Sequence, residues 1–336
     1  MKPSLTAEVE LSRDSVLGIM DFRYAPYALG DTFTWLTNLQ IVAHDNGRQH
    51  IDIVLITLPE MPSSRLQRQI TAYNYIQSVE GLFSAFLCCP KVRSIRIYEK
   101  YRSSAQRILA AMIARSGTWP KLRSHFRKDL DYSTHRQINA FYKEHGWVPR
   151  LRPPAGFGAE TAAFRAKHLA GRTPFIVNIR QRMLTTDPAA LHRDSASAVW
   201  RRFFAAAERS HPSAAFVLVG GVSEWERATA RLGNVVIPRM HGYGLGHELT
   251  LLLEGTPFIG SSSGFFAAAT FSEKTPYLIT NFEHQASAYI GMPVGEARYP
   301  FAIGQQSLSW LPETEEILFS YVESVFNALG GKGNGA

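Results

Sequence analysis

The chain has little cysteine. Cys88 and Cys89 are the two that it contains, and they are adjacent in the sequence. Neighbouring cysteines seldom pair with each other, and the sequence has no CxxC motif or Cys/His cluster that would indicate a disulfide framework or a metal site. We therefore predict that both thiols are small buried side chains.

Long apolar runs and several signature motifs are also lacking. No run approaches the ~18–20 residues that span a bilayer, and the polar segment 1–14 has no secretion-signal pattern, so we predict a cytoplasmic location. The sequence has no G-x-S-x-G, P-loop or H-E-x-x-H motif, which argues against serine hydrolases, P-loop kinases and zinc proteases. No D-x-D motif stands at a predicted strand end, so we expect no bound metal and no cofactor.

The positive charge of the chain is concentrated in one window. Residues 91–136 contain twelve Lys and Arg residues and three acidic residues, which gives this window a net charge of +9. The net charge of the whole chain is +8. Such a surface attracts phosphate-bearing substrates or the inner face of an anionic membrane, unless it is only a solvated helix face. Nucleic acid is a weaker alternative because no zinc-finger or RNA-binding signature is present.

Strand-like and helix-like patterns alternate along the 336 residues. Strands are predicted at 15–22, 51–58, 92–99, 174–180, 214–221, 234–239, 257–260 and 276–280. Helices are predicted at 31–45, 64–86, 102–115, 195–209, 246–254, 264–272 and 313–329. This alternation indicates an α/β protein in which helices cover parallel sheets.

Residues 148–158 contain three prolines and two glycines, so they cannot continue a helix or a strand. We place a domain boundary here, with one Rossmann-like domain over residues 1–150 and a second over 151–336. Two such domains in tandem leave an inter-domain cleft, and open α/β sheets bind ligands at the carboxyl ends of their strands.

A serine- and glycine-rich turn is the strongest candidate for anion binding. Ser262, Ser263 and Gly264 connect a predicted strand to an alanine-rich helix. Hydroxyls and backbone amides at a helix N-terminus suit a phosphate group, and the glycine allows close approach to the backbone. A well-capped strand-to-helix turn explains the same residues without a ligand.

A second glycine-rich loop lies at 242–246, but its spacing lacks the last glycine of a dinucleotide fingerprint. Gly246 indicates a loop that approaches a ligand closely. Glu248 would accept hydrogen bonds from ribose hydroxyls, or it is a surface charge near the helix dipole. Gly221, at the end of the strand predicted at 214–221, is a further candidate contact for the nucleotide.

Arginines follow the first predicted strand of the second half. Arg180 lies at the strand tip, Arg182 two residues further on, and Arg193 just before the next helix. Because a guanidinium matches the geometry of phosphate oxygens, we expect at least one of the three to contact a ligand phosphate.

An aspartate follows the first predicted strand of the chain. Asp31 begins the helix predicted at 31–45, so it is either an N-cap or a general base that removes a proton from a sugar hydroxyl. Asp21, at the end of the strand itself, is the alternative for the same role.

Taken in order, these features resemble the two-domain GT-B glycosyltransferases, and most closely the bacterial heptosyltransferase family. The stretches that carry the resemblance are ALGD at 28–31, FVLVGG at 216–221, LTLLLEG at 249–255 and FIGSSSGFFAAATFSEKTPYLI at 258–279. In that family a Gly-Asp turn carries the proposed catalytic base, which corresponds here to Asp31. A Ser/Thr-Gly turn binds the diphosphate of an ADP-sugar, which corresponds to Ser262–Gly264. NIR at 178–180 is more faintly similar to GDP-fucose-dependent fucosyltransferases.

The resemblance implies that the two domains bind different substrates. The second domain would bind a nucleotide-diphosphate sugar as donor substrate, the first would bind a glycan or lipid-linked acceptor, and transfer would proceed by direct displacement without a metal. The family's acid before Ser/Thr-Gly is a serine here, and its histidine after the glycine is replaced by Phe or Ala. These departures leave two alternatives: a non-catalytic sugar-nucleotide-binding protein with the same fold, and a sugar-nucleotide epimerase.

Overall fold

The computed structural model describes residues 14–22, 25, 28–56, 75–98, 117–120, 135–181, 193–221, 227–282 and 290–330. The described residues divide into two compact units. The first unit takes those within 1–27, 38–79 and 91–132, and the second takes those within 28–37, 80–90 and 133–336. The boundary predicted at 148–158 stays a prediction.

The first unit is built on a four-stranded parallel sheet in the order β3-β2-β1-β4. Its strands are β1 (Ser15–Asp21), β2 (His50–Ile56), β3 (Val92–Tyr98) and β4 (Thr118–Trp119). Strand β1 is buried along its whole length and β2 from its second residue onward. Continuous apolar runs of this kind are typical of strands covered on both faces, and the three longer strands confirm the sequence prediction.

The second unit contains a six-stranded parallel sheet in the order β10-β9-β8-β5-β6-β7. Its strands are β5 (Thr173–Asn178), β6 (Ala214–Leu218), β7 (Val235–Val236), β8 (Phe258–Ser261), β9 (Tyr277–Thr280) and β10 (Gln306–Leu308). The two parallel sheets confirm the predicted α/β class. Strands β4 and β10 were not predicted, because two or three residues show no periodicity.

The described helices are α1 (Leu29–Asp45), α2 (Tyr75–Phe86), α3 (His135–His145), α4 (Gly158–His168), α5 (Ser197–Ser210), α6 (Leu245–Leu253), α7 (Gly264–Thr270) and α8 (Glu315–Gly330). Helices α3 and α4 were not predicted. The aromatic side chains of α5 and the apolar side chains of α8 fill one core with β5 and β6. This packing fixes the N-terminal ends of α5 and α8 close to the sheet.

Both cysteines are buried, as predicted, and neither forms a disulfide with the other. Burial raises the pKa of the Cys88 thiol, which keeps it protonated and unreactive. None of the helices described here has the length and hydropathy of a membrane span. Most of the basic window, including the helix predicted at 102–115, lies outside the described residues.

Candidate functional site

The carboxyl ends of the second sheet gather the polar residues singled out in the sequence. We call this region the carboxyl edge and define it as the residues that follow β5 (179–181), β6 (219–221), β8 (262–264) and β9 (281–282). Because all six strands are parallel, these segments emerge on the same side of the sheet.

Strand β8 and the turn that follows it are closely packed. A Cβ on Gly260 would lie 2.8 Å from the Asn178 carbonyl oxygen, so β8 has no room for a side chain at this position. Ser262 is buried, and Ser263 is extended just before α7 begins at Gly264. The hydroxyls of Ser261 and Ser263 are buried without a hydrogen-bond partner among the described residues. Unpaired buried hydroxyls at such a turn are available to a ligand or to water.

The start of α1 packs directly on the start of α7. A Cβ on Gly264 would lie 2.7 Å from the Cβ of Leu29 and 3.3 Å from the Gly30 nitrogen. A Cβ on Gly30 would lie 3.5 Å from the Gly264 Cα and 3.8 Å from the Ser263 oxygen. The two stretches that carried the resemblance therefore meet in the structure, within the second unit.

The two candidate bases differ in their surroundings. Helix α1 begins at Leu29, so Asp31 lies inside the first turn and not at the cap position. It is partly buried, and the positive end of the helix dipole stabilises its carboxylate. Asp21 is fully buried at the end of β1, and its carbonyl accepts the Ala25 amide. Asp31 is therefore the more accessible of the two.

The candidate arginines are held by their surroundings. Arg180 is 4% exposed and donates from Nη1 to Asp194 Oδ1 at 2.5 Å, so its charge is balanced within the protein. Arg193 is partly buried and precedes Asp194 in the chain. Arg182 lies outside the described residues. Of the two described candidate arginines, Arg193 is the less buried.

Glu248 is fully buried, so the interpretation as a surface charge is wrong. Both of its oxygens accept hydrogen bonds from Arg239, each at 3.0 Å, and the carboxylate also accepts the Gly220 amide. Burial raises the pKa of Glu248, and Arg239 offsets part of that rise. The carboxylate fastens the start of α6 to the turn after β6, which also contains Gly221 and Gly220 at φ +116°.

Gly246 is required by the protein itself. A Cβ there would lie 2.4 Å from two atoms of the Phe157 ring, so the close approach is made by that ring. Next to it, His247 accepts the Gly244 amide at Nδ1, which leaves Nε2–H to donate to Glu160 at 2.6 Å. The glycine-rich loop therefore serves the packing of α6 against α4.

The sequence analysis missed Glu313, which is 5% exposed just before α8. Its Oε1 accepts the hydroxyls of Ser195 and Thr280, at 3.1 and 2.8 Å. Its Oε2 accepts the Ala196 amide and the Trp200 indole N–H, at 3.0 and 2.9 Å. Burial raises the pKa of Glu313, and the four hydrogen bonds offset only part of that rise.

Solved structures share this fold. The chain matches E. coli ADP-heptose LPS heptosyltransferase II with a TM-score of 0.55 at 11% identity, over 92% of this chain and 98% of that one. It matches a family 9 glycosyltransferase from Veillonella parvula with a TM-score of 0.52 at 11% identity, over 92% and 96%. The E. coli heptosyltransferase WaaC with ADP also aligns, with a TM-score of 0.45 at 12% identity, over 94% and 98%.

The first two of these matches establish the fold class. The chain has the two-sheet GT-B fold of those glycosyltransferases, as its sequence predicted. No family model matches the chain, and a search of curated proteins finds no significant match. At such low identity the likeness concerns the fold alone, so function is argued from this chain's own residues.

Proposed function

We propose that the protein is a glycosyltransferase that transfers a sugar from a nucleotide-diphosphate sugar to a glycan or lipid-linked acceptor. The observation that supports this most directly is the packing of Gly30 against Gly264. It brings the residue before Asp31 to the segment in which the hydroxyls of Ser261 and Ser263 have no hydrogen-bond partner among the described residues. A general base and an anion-binding turn are the two parts that such a transfer needs.

In the proposed reaction Asp31 takes the proton of an acceptor hydroxyl. The acceptor oxygen then bonds to the anomeric carbon of the donor, and the bond from that carbon to the diphosphate oxygen breaks. The nucleoside diphosphate leaves with the electron pair. Ser262, Ser263 and the Gly264 amide, together with Arg193, stabilise its charge without a metal.

The first experiment is a thermal-shift and calorimetric titration of the full chain with a panel of nucleoside diphosphates and nucleotide sugars. A donor that binds the native state raises the melting temperature by mass action. We expect one nucleoside diphosphate to bind with a dissociation constant below about 1 mM, which corresponds to about 4 kcal/mol. A panel without any binder would refute the proposal.

The second experiment tests the base. Asp31→Asn keeps the size of the side chain and removes its basicity, so we expect transfer or donor hydrolysis to fall by about 100-fold or more while donor affinity is retained. Asp21→Asn is the matched comparison, since Asp21 is fully buried. An Asp31→Asn protein with wild-type turnover would remove Asp31 from the mechanism.

A binding protein without transfer activity is the second candidate. It is favoured by Arg180, whose guanidinium is paired with Asp194, and by the serine that replaces the family's acid. The two experiments separate the candidates, because a binding protein responds to the panel yet shows no turnover that Asp31→Asn could lower.

We further propose that the acceptor or an anionic membrane contacts the basic window at 91–136, at the inner face of the membrane.

A further inference from the structure

We infer that Glu313 is a positioning residue for the phosphate end of the donor. It holds the loop of residues 193–196, which we call the arginine loop, against the carboxyl edge. This inference rests on the proposed function, because it assigns the diphosphate contact to Arg193.

The first link runs from Glu313 directly to the arginine loop. Oε1 accepts the Ser195 hydroxyl and Oε2 accepts the Ala196 amide. Ala196 is the N-cap residue of α5 and has no side chain that could cap the helix. The Glu313 carboxylate therefore supplies the anion that the positive end of α5 favours.

The second link runs through Asn281. The Glu313 amide donates to Asn281 Oδ1 at 3.1 Å, and Asn281 Nδ2 donates to the Asp194 carbonyl at 3.3 Å. Asn281 has φ +49°, a left-handed conformation that Asn and Gly tolerate better than other residues. The position of this side chain is therefore set by the backbone, and it bridges Glu313 to the loop.

The third link joins the loop to β5. Arg180 accepts the Ser195 amide at its carbonyl, at 2.8 Å, and donates from Nη1 to Asp194 at 2.5 Å. The loop is thus fixed at both of its central residues, while Arg193 at its start stays partly exposed. An arginine on an anchored loop loses less entropy when it binds a phosphate than one on a free loop.

The same arrangement decides where a diphosphate can bind. The N-terminus of α5 is already occupied by the Glu313 carboxylate, so a donor phosphate gains nothing there and would be repelled. We assign the diphosphate instead to Arg193 and to the turn at Ser262–Gly264. Glu313 therefore both anchors the loop and directs the phosphate away from α5.

The test compares three variants. Glu313→Ala removes all four hydrogen bonds. Glu313→Gln keeps the shape, and its amide group can donate to Ser195 and Thr280 while its carbonyl accepts the two N–H groups. Asn281→Gly removes the bridge but keeps the left-handed backbone. Glu208→Ala is the matched control, because Glu208 also accepts a backbone amide, from Gly233 at 2.9 Å, on the exposed surface of α5.

We expect Glu313→Ala to weaken binding of the donor nucleoside diphosphate about tenfold and to raise the donor KM to the same extent, with an unchanged acceptor KM. Asn281→Gly is expected to weaken donor binding about threefold, and the Gln and control variants less than twofold. In hydrogen exchange, the Ser195 and Ala196 amides should lose protection in Glu313→Ala and keep it in Glu313→Gln.

Acetate provides a readout that needs no donor. Added acetate should raise the melting temperature of Glu313→Ala, since the vacated carboxylate position binds an anion, and should not raise that of wild type or Glu208→Ala. If wild type binds a donor and Glu313→Ala and Asn281→Gly bind it equally well, the positioning role is refuted while the proposed function stands. If wild type binds no donor, the proposed function fails and the positioning role fails with it.

Discussion

Each unit contains a buried carboxylate, and the two carboxylates are stabilised by different kinds of hydrogen-bond donor. Asp52 lies within β2 and accepts hydrogen bonds from the hydroxyls of Ser15 and Ser94 and two from Arg93. Burial alone would raise the pKa of Asp52, but these hydrogen bonds and the Arg93 charge together lower it below its usual value.

Glu313 also accepts four hydrogen bonds, but all four donors are neutral. The effect of burial is consequently larger than that of the hydrogen bonds, and the pKa of Glu313 is raised. A carboxylate that lacks a charged partner depends on every neutral donor around it. Asp52 therefore connects three neighbouring strands with the help of a charged partner, whereas Glu313 holds a loop through neutral donors.

The largest effect on stability is expected from removing the Asp52 carboxylate. Asp52→Ala leaves Arg93 and two serine hydroxyls without their acceptor inside the first sheet, so the free energy of unfolding should fall by about 3 kcal/mol. Urea unfolding measures it. Donor affinity should not change, since Asp52 belongs to the first unit and the residues assigned to the donor belong to the second. A large loss of donor affinity in this variant would show that the comparison is drawn wrongly.

A smaller effect is expected from crowding the carboxyl edge. Gly264→Ala places a Cβ 2.7 Å from that of Leu29, so we expect a loss of about 2 kcal/mol and weaker donor binding. Gly30→Ala is the matched control, because its Cβ meets ordinary contacts of 3.5 Å or more and gains helix propensity. Equal melting temperatures for the two variants would contradict the packing described here.

The smallest effect, and the sharpest comparison, is in the pH dependence of stability. The lowered pKa of Asp52 contributes stability above its unfolded value of about 3.9, which is lost as pH falls through the folded value. The raised pKa of Glu313 acts oppositely, so stability falls as pH rises from about 4.3 through its folded value.

Urea unfolding of Asp52→Asn and Glu313→Gln between pH 3 and pH 8 isolates the two contributions. The free energy of unfolding of Asp52→Asn should be lower than that of wild type at neutral pH, and this difference should shrink as the pH falls. Glu313→Gln should gain stability as the pH rises. Difference curves with the same slope would mean that the charge of Arg93 does not distinguish the two sites.

The sequence predicts the fold well where periodicity is long. Continuous β-branched runs such as 51–58 are typical of strands buried on both faces, and β2 (His50–Ile56) overlaps that run. The turn at Ser262–Gly264 and the Gly30–Asp31 pair were also found, because strand-to-helix turns have recognisable residues. Helix α1 began two residues before its predicted start, which moved Asp31 from the cap into the first turn.

Long-range partners could not be predicted. Glu313 lies two residues before α8 and has the local appearance of a helix-start charge, while its partner Ser195 is 118 residues away in the chain. Gly246 was assigned to a ligand, but its neighbour is the Phe157 ring, far away in sequence. A single sequence does not show which of several charged or small residues will be enclosed.

The contact of Leu29 with Gly264 has a consequence for how this protein can diverge. The obstructing atom is the Cβ of residue 29, which every amino acid except glycine carries. Shortening Leu29 to alanine therefore makes no room, and glycine at 29 would place two glycines side by side in the first turn of α1. Mutational drift should therefore leave Gly264 unchanged, whereas exchanging the side chain of residue 29 beyond its Cβ does not alter this constraint.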